Sequence, residues 1–88
     1  MKTHHLKTHP NYFERTLNES KFWEIRLNDR DFQTGDEVLL QEYDPIEKQY
    51  TGKNIRGIIQ YVLHDFKGLK KGYVIFSFKI NDFNYNQQ

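Results

Sequence analysis

The sequence predicts a mainly β, α+β fold, in which about five strands form a small β-barrel and one short helix lies near the N terminus. Three observations lead to this prediction. The chain has 88 residues, enough for one domain. Aromatic residues make up 16% of it and alanine is absent, a composition that favours strands over helices. Several segments alternate apolar and polar residues, as strands with one buried face do.

The N-terminal part of the chain predicts a strand followed by a helix. Residues 2–7 are a short polar strand candidate. Pro10 suits the first turn of a helix, because the N–H that proline lacks would have no helical partner there. We predict a helix over residues 10–19. Phe13 and Leu17 are four residues apart and therefore share the face that would dock on the sheet.

The clearest strand signal is the alternation in residues 21–28. Trp23, Ile25 and Leu27 fall on one face, and polar residues fall on the other. This is the pattern of a half-buried antiparallel strand, so we expect the apolar face to be the buried one.

Three further strands complete the predicted barrel. Asp44-Pro45 ends the first of them and opens a loop that we expect to reach Gly52. Gly57 lies inside a strand, where it predicts a bulge or a sharp bend. The three strands are placed at residues 37–43, 53–64 and 73–80. We expect Tyr61 in the core, a single domain over residues 1–80, and a polar, disordered tail over 81–88.

Composition and charge exclude several classes of function. The formal net charge is +1, which gives no global argument for a polyanionic partner. The absence of cysteine excludes disulfides and thiolate zinc sites. The four histidines lack metal-ligand spacing, and no apolar run reaches the roughly 18 residues of a membrane helix. We expect a cytoplasmic protein with no metal, cofactor or membrane partner, and a monomer.

Polar residues of the 21–28 segment are the main candidates for a ligand site. Glu24, Arg26 and Asn28 share one side of the strand and offer a carboxylate acceptor, a bidentate guanidinium and an amide. Together they would read a base edge and hold its phosphate; otherwise they are a solvated face. Lys21, at the entry to the strand, is either a phosphate contact, a catalytic amine or a solvated lysine.

Other candidates lie outside that strand. Arg30 sits in the charged loop 28–31, where it either bridges Asp29 and Asp31 or contacts a ligand. Tyr50, placed in a loop, would offer a stacking face to a base. Lys7 lies on the first strand and would reach the same cleft. Three lysines of the glycine-containing turn would add a basic rim or simply be solvated: Lys67, Lys70 and Lys71.

The segment Lys21-Phe22-Trp23-Glu24-Ile25-Arg26, followed by Phe32-Gln33-Thr34-Gly35-Asp36, resembles the signature of the ASCH domain, a branch of the PUA-like superfamily. The family pattern is Gly-x-Lys-x-x-Glu-x-Arg, then a loop and a Gly-Asp turn. The likeness extends over residues 4–80 to short bacterial and phage ASCH-like proteins of unknown function. Glu19 stands where the family pattern has glycine.

The resemblance implies a PUA-like barrel with a cleft for RNA or a nucleotide, lined here by Lys21, Glu24 and Arg26. It also implies an alternative, a hydrolase acting on acetylated cytidine, in which Lys21 would activate the attack and Glu24 would accept the proton. Those hydrolases have threonine at the position of Glu24 and use an acidic residue from a longer later segment. A third hypothesis is a protein-interaction domain, against which the predicted core accounts for most apolar residues.

Overall fold

The computed structural model describes residues 1–84, which contain five strands and one helix. In chain order the elements are β1 (Thr3–Thr8), α1 (Pro10–Leu17), β2 (Trp23–Leu27), β3 (Glu37–Asp44), β4 (Gln49–Leu63) and β5 (Tyr73–Asn84). Pro10 occupies the first turn of α1, as predicted. Each predicted element is present, with shifted ends.

The five strands form one sheet in the order β1-β3-β4-β5-β2. β1 pairs with β3 in parallel, and the other neighbouring strands are antiparallel. The sheet curls into a half-barrel that carries the single short helix, which confirms the predicted mainly β fold. Because β1 and β2 are the two edge strands, the half-barrel is open between them.

The core lies between the concave face of the sheet and one side of α1. Phe13 of α1 is completely buried, and Leu17 packs against the same cluster. Each strand except β2 contributes apolar side chains to this core. The buried apolar side chains from the strands and the loop before β3 include Leu6, Phe32, Val38, Leu40, Ile55, Ile59, Val74, Phe76 and Phe78.

The register between β4 and β5 shifts at Gly57, where the sequence predicts a bulge or a sharp bend. Arg56 pairs with Asp82 and Gly57 with Ile80, so the bulged residue, Asn81, is on β5 opposite the glycine. A Cβ atom at Gly57 would lie 3.0 Å from the Lys79 carbonyl oxygen and 3.1 Å from the Phe78 ring. A side chain at this position would push against β5, whose backbone would have to move by a few tenths of an ångström, so the close approach favours glycine.

Two strands are longer than predicted. β4 begins at Gln49, so Tyr50 lies in a strand and the prediction that it sits in a loop is wrong. The Asp44 carboxylate accepts hydrogen bonds from the backbone N–H groups of Ile46 and Glu47, which closes the turn well before Gly52. β5 continues to Asn84. The rest of the predicted tail, residues 85–88, lies outside the described residues.

The buried face of β2 is the opposite of the predicted one. Trp23, Ile25 and Leu27 are 41%, 50% and 51% exposed, whereas Glu24 is buried. The polar side faces inward because its groups find hydrogen-bond partners there: Glu24 accepts from Lys21, and Arg26 donates to the edge of β1. Tyr61, predicted in the core, is also exposed, since it pairs with Ser77 on the same outward face.

A buried hydrogen bond between two side chains fastens the N-terminal strand to the turn before β3. His4 Nε2 lies 2.9 Å from Asp36 Oδ2, and both side chains are almost fully buried. Burial raises the pKa of Asp36, but the hydrogen bond with His4 and those from the backbone N–H groups of Lys2 and Gln33 outweigh it. The pKa of Asp36 is therefore held below its ordinary value of 3.8.

We expect stability to fall in acid partly because of this carboxylate. Because the pKa of Asp36 is lower in the folded state, the ionised carboxylate stabilises the fold. This contribution is complete above the pKa of the unfolded state, near 3.8, and it is lost as the pH falls through the pKa of the folded state. Urea unfolding at several pH values should show this loss, and Asp36→Asn should reduce it. An equal acid dependence in the variant would contradict the assignment.

Candidate functional site

A groove lies in the opening between the two edge strands, with α1 as its third wall. Its volume is about 720 Å³, within the roughly 300–1,000 Å³ of small-molecule sites. The groove is lined by Lys7, Thr8, His9, Tyr12, Arg15, Ser20, Lys21, Trp23, Glu24, Ile25 and Arg26.

Two arginine side chains, from β2 and from the loop that follows it, donate hydrogen bonds to backbone carbonyls at the unpaired edge of β1. Arg26 Nη2 donates to the Lys7 carbonyl oxygen at 3.0 Å, and Arg30 Nη1 donates to the His5 carbonyl oxygen at 2.5 Å. In a parallel strand, the backbone groups of every second residue point to the same side. The carbonyls of His5 and Lys7 therefore share one side of β1, and because they accept from the arginines, that side is the one away from β3. The guanidinium groups therefore span the gap that a further strand would otherwise fill.

A buried carboxylate fixes two cations at the floor of the groove. Glu24 Oε2 accepts from Lys21 Nζ at 2.5 Å, and Glu24 Oε1 accepts from Arg26 Nε at 2.9 Å. Lys21 Nζ also donates to the Trp23 carbonyl oxygen at 2.8 Å. The side chains of Lys21 and Glu24 are 10% and 6% exposed, and that of Arg26 is 27% exposed. Both oxygens of Glu24 are thus engaged, and Arg26 is the most accessible group of the three.

Aromatic rings flank these cations. Lys21 Nζ lies 5.1 Å from the centre of the Trp23 ring and 5.9 Å from that of Tyr12. Tyr12 is 52% exposed on α1, and Arg15 lies three residues further along the same helix. Four cationic side chains and one carboxylate line the groove, so it is locally positive although the whole chain is nearly neutral.

Four of the predicted site residues meet in this groove. Lys7 comes from β1, Lys21 precedes β2, and Glu24 and Arg26 lie on β2. Strand alternation over residues 21–28 predicts Lys21 on the opposite side from Glu24. The strand begins only at Trp23, so alternation does not govern Lys21 and its side chain folds back to Glu24.

The other three predicted residues lie elsewhere. Asn28 accepts a hydrogen bond from the Phe32 N–H at 3.0 Å and lines a different cavity, of about 440 Å³. Arg30 reaches the β1 edge and Asp29 but does not bridge both aspartates. Tyr50 packs edge-on against Tyr43, with ring centres 5.1 Å apart, outside the groove lining.

The helical wall of the groove is absent from the sequence prediction. Tyr12 and Arg15 carry a signal that could have found them, because their spacing of three places them on one exposed face of the predicted helix. Trp23, predicted on a buried face, lies at the groove rim. Within residues 1–84, no cluster of three or more histidine, aspartate or glutamate side chains is placed to hold a metal ion. No helix in this part of the chain has the length and apolar character to cross a membrane.

Comparison with known proteins adds two findings. A family model described as "Domain of unknown function (DUF3850)" matches residues 3–78. An uncharacterized 12.9 kDa protein of Escherichia phage P2, named for its place in the GpA 3′ region, is 33% identical over 58 residues. The match covers 66% of this chain and 51% of the phage protein, so the chain spans about half the length of that relative.

Proposed function

The chain belongs to the DUF3850 family, and we propose that its groove binds a nucleotide, either free or as part of single-stranded RNA. The observation that supports this most directly is the combination of exposed aromatic rings with cationic side chains in one groove of about 720 Å³. Aromatic faces stack on bases, and arginine and lysine hold phosphates.

Each wall of the groove has a role in this proposal. Tyr12 offers its exposed ring to a base, with Trp23 at the opposite rim. Arg15 and Lys7 are exposed and supply phosphate contacts. Arg26, oriented by Glu24, faces the ligand from the floor. Because both Glu24 oxygens already accept hydrogen bonds, that carboxylate positions the cations instead of reading the base.

The ASCH resemblance supports the same proposal. The family pattern has glycine two residues before its lysine, and Glu19 occupies that position with a φ of 62°. This is the left-handed region that favours glycine. The chain therefore has the backbone turn that the pattern requires, and we propose that the DUF3850 family is related to the ASCH branch. Cytoplasmic location and a monomeric state stay predictions.

Arg15→Ala and Tyr12→Ala are expected to weaken ligand binding without unfolding the protein, since both side chains are exposed. Losing one charge-assisted contact or one stacking ring corresponds to about tenfold in affinity. Isothermal titration calorimetry with a short single-stranded RNA and with nucleoside monophosphates, each at two salt concentrations, measures this. The affinity for RNA should fall more steeply with salt than the affinity for a nucleoside monophosphate. Arg15→Ala should reduce the slope of log affinity against log salt concentration for RNA by about one.

Lys67→Ala and Tyr61→Ala are matched controls, because they remove the same chemistry outside the groove lining. Both should bind like the wild type. Binding that survives in Arg15→Ala and Tyr12→Ala, or the absence of saturable binding to any of these ligands, would refute the proposed site.

Hydrolysis of a modified nucleoside is a second candidate, favoured by the 2.5 Å contact between Lys21 Nζ and Glu24 Oε2. In the observed arrangement Lys21 Nζ is held by two acceptors of the protein itself, Glu24 Oε2 and the Trp23 carbonyl oxygen, and its side chain is only 10% exposed to the groove. The observed arrangement therefore favours binding over catalysis. Incubation with N-acetylcytidine, followed by chromatography, tests the alternative directly; turnover that is lost in Glu24→Gln would favour hydrolysis over binding alone.

A further inference from the structure

The outward side of β2 continues across β5 and β4 as one apolar surface. The register aligns Ile25 with Ile75 and Leu63, and it aligns Leu27 with Tyr73. Residues that face each other across antiparallel strands have their side chains on the same side of the sheet. We call this surface the outer apolar face and define it by Ile25, Leu27, Tyr61, Leu63, Tyr73 and Ile75.

The outer apolar face is accessible. Ile25, Leu27 and Tyr61 are 50%, 51% and 63% exposed, and Ile75 and Leu63 are half-buried. Nothing in residues 1–84 covers it, because α1 lies on the other side of the sheet, beside Phe13 and the core. A contiguous apolar surface on a small domain is typical of a protein-binding site. The sequence pattern, which predicts most apolar residues in the core, gives no sign of it.

Lysines border this face. Lys70 Nζ lies 5.8 Å from the centre of the Tyr73 ring, and Lys79 follows Ser77 on the outward side of β5. Lys67 and Lys71 are exposed in the adjoining turn, where Asp65 is the one carboxylate among residues 64–72. None of the outward positions of residues 23–27, 61–63 and 73–79 is acidic. The border is therefore cationic around an apolar centre.

We propose that the outer apolar face binds an acidic, amphipathic segment of another protein. Its apolar residues would cover Ile25, Leu27 and Ile75, while its carboxylates would pair with the bordering lysines. A second copy of this chain fits less well, because a two-fold contact through this face would bring the same lysines together. RNA also fits less well, because four of the six residues that define the face are aliphatic and only Tyr61 and Tyr73 offer rings on which bases stack.

Selection of short peptides from a random library displayed on phage tests the proposal while the natural partner is still unidentified. We expect the selected peptides to alternate acidic and apolar residues. Binding of a selected synthetic peptide, measured by calorimetry, should weaken about tenfold in Leu27→Ser, which loses an apolar contact. It should also weaken in Lys79→Glu. Both residues face outward and are exposed, so the fold should be retained, which circular dichroism checks.

Ile46→Ser and Lys48→Glu are the matched controls. Both residues are exposed in the turn before β4, away from the outer apolar face, and their substitution should leave peptide binding unchanged. Selected peptides without acidic residues, or binding that persists in Leu27→Ser and Lys79→Glu, would overturn the proposal. A dimer that light scattering detects and that Leu27→Ser dissociates would also overturn the proposal, because a second copy of the chain would then occupy the face. RNA binding that depends on Lys79 but not on Leu27 would assign the face to nucleic acid.

Discussion

Glu24→Gln is expected to lower the free energy of unfolding by about 3–5 kcal/mol, the usual cost of removing one partner from a buried ion pair. The glutamine would occupy nearly the same volume but carry no charge. Lys21, whose side chain is 10% exposed, would then lack its anionic partner. The single amide oxygen of glutamine could accept from Lys21 Nζ or from Arg26 Nε, and the amide NH2 group would face the other cation. Such a loss is large compared with the roughly 5–15 kcal/mol that stabilises a typical domain.

Urea unfolding at neutral pH measures this change. Glu47→Gln is the matched control, because it makes the same substitution at an exposed position in the turn before β4 and should stay within about 0.5 kcal/mol of the wild type. The double variant Lys21→Gln with Glu24→Gln should lose less free energy of unfolding than the two single variants lose together, since both substitutions remove the same contact. A wild-type unfolding midpoint for Glu24→Gln would show that the buried carboxylate does not stabilise the fold.

Glu24 also explains why the sequence groups the polar side chains of residues 21–28 but assigns the wrong buried face to that strand. Alternation in residues 21–28 reveals which side chains share a face. It does not reveal which face is inner, because that depends on what the strand packs against. Here the inner neighbours are Lys21 and the β1 edge: Lys21 and Arg26 satisfy the carboxylate, and Arg26 also donates to the Lys7 carbonyl of that edge. The apolar side is left to face outward.

The positions of Tyr50 and Tyr61 depend on similar tertiary information. Pro45 and Gly52 are both turn-forming residues, and the sequence alone does not indicate that the Asp44 side chain closes a short turn between them. Tyr61 follows a second register shift, between Ile59 and Tyr61, which reverses the side of the sheet that later residues of β4 face. Neither the turn closure nor the shift leaves a periodic signal.

The groove itself could be predicted only in part. Its β2 side carries a recognisable charge pattern, and the ASCH resemblance indicates the same residues. Its α1 side, with Tyr12 and Arg15, consists of ordinary exposed helix residues that gain meaning only once α1 is placed opposite β2. That placement depends on the core residue that anchors the helix.

Phe13→Ala is expected to lower the free energy of unfolding by about 3–5 kcal/mol, the range for truncating a fully buried phenylalanine. The consequence for α1 should exceed that for the sheet, because a helix of eight residues has little stability of its own in water. Thr16 and Leu17 would remain as its inward contacts. Hydrogen exchange should therefore show the α1 amides losing more protection than those of β3 and β4.

Tyr12→Ala is the control in the same helix, since that ring is 52% exposed and should contribute little to the fold. The two variants separate the roles of α1. Tyr12→Ala removes a groove ring from a fixed helix, whereas Phe13→Ala removes no groove side chain but frees the helix that carries Tyr12 and Arg15. If ordered α1 forms the third wall of the binding site, Phe13→Ala should weaken nucleotide binding although its side chain does not line the groove. Unchanged binding together with lost α1 protection would mean that β1 and β2 alone hold the ligand.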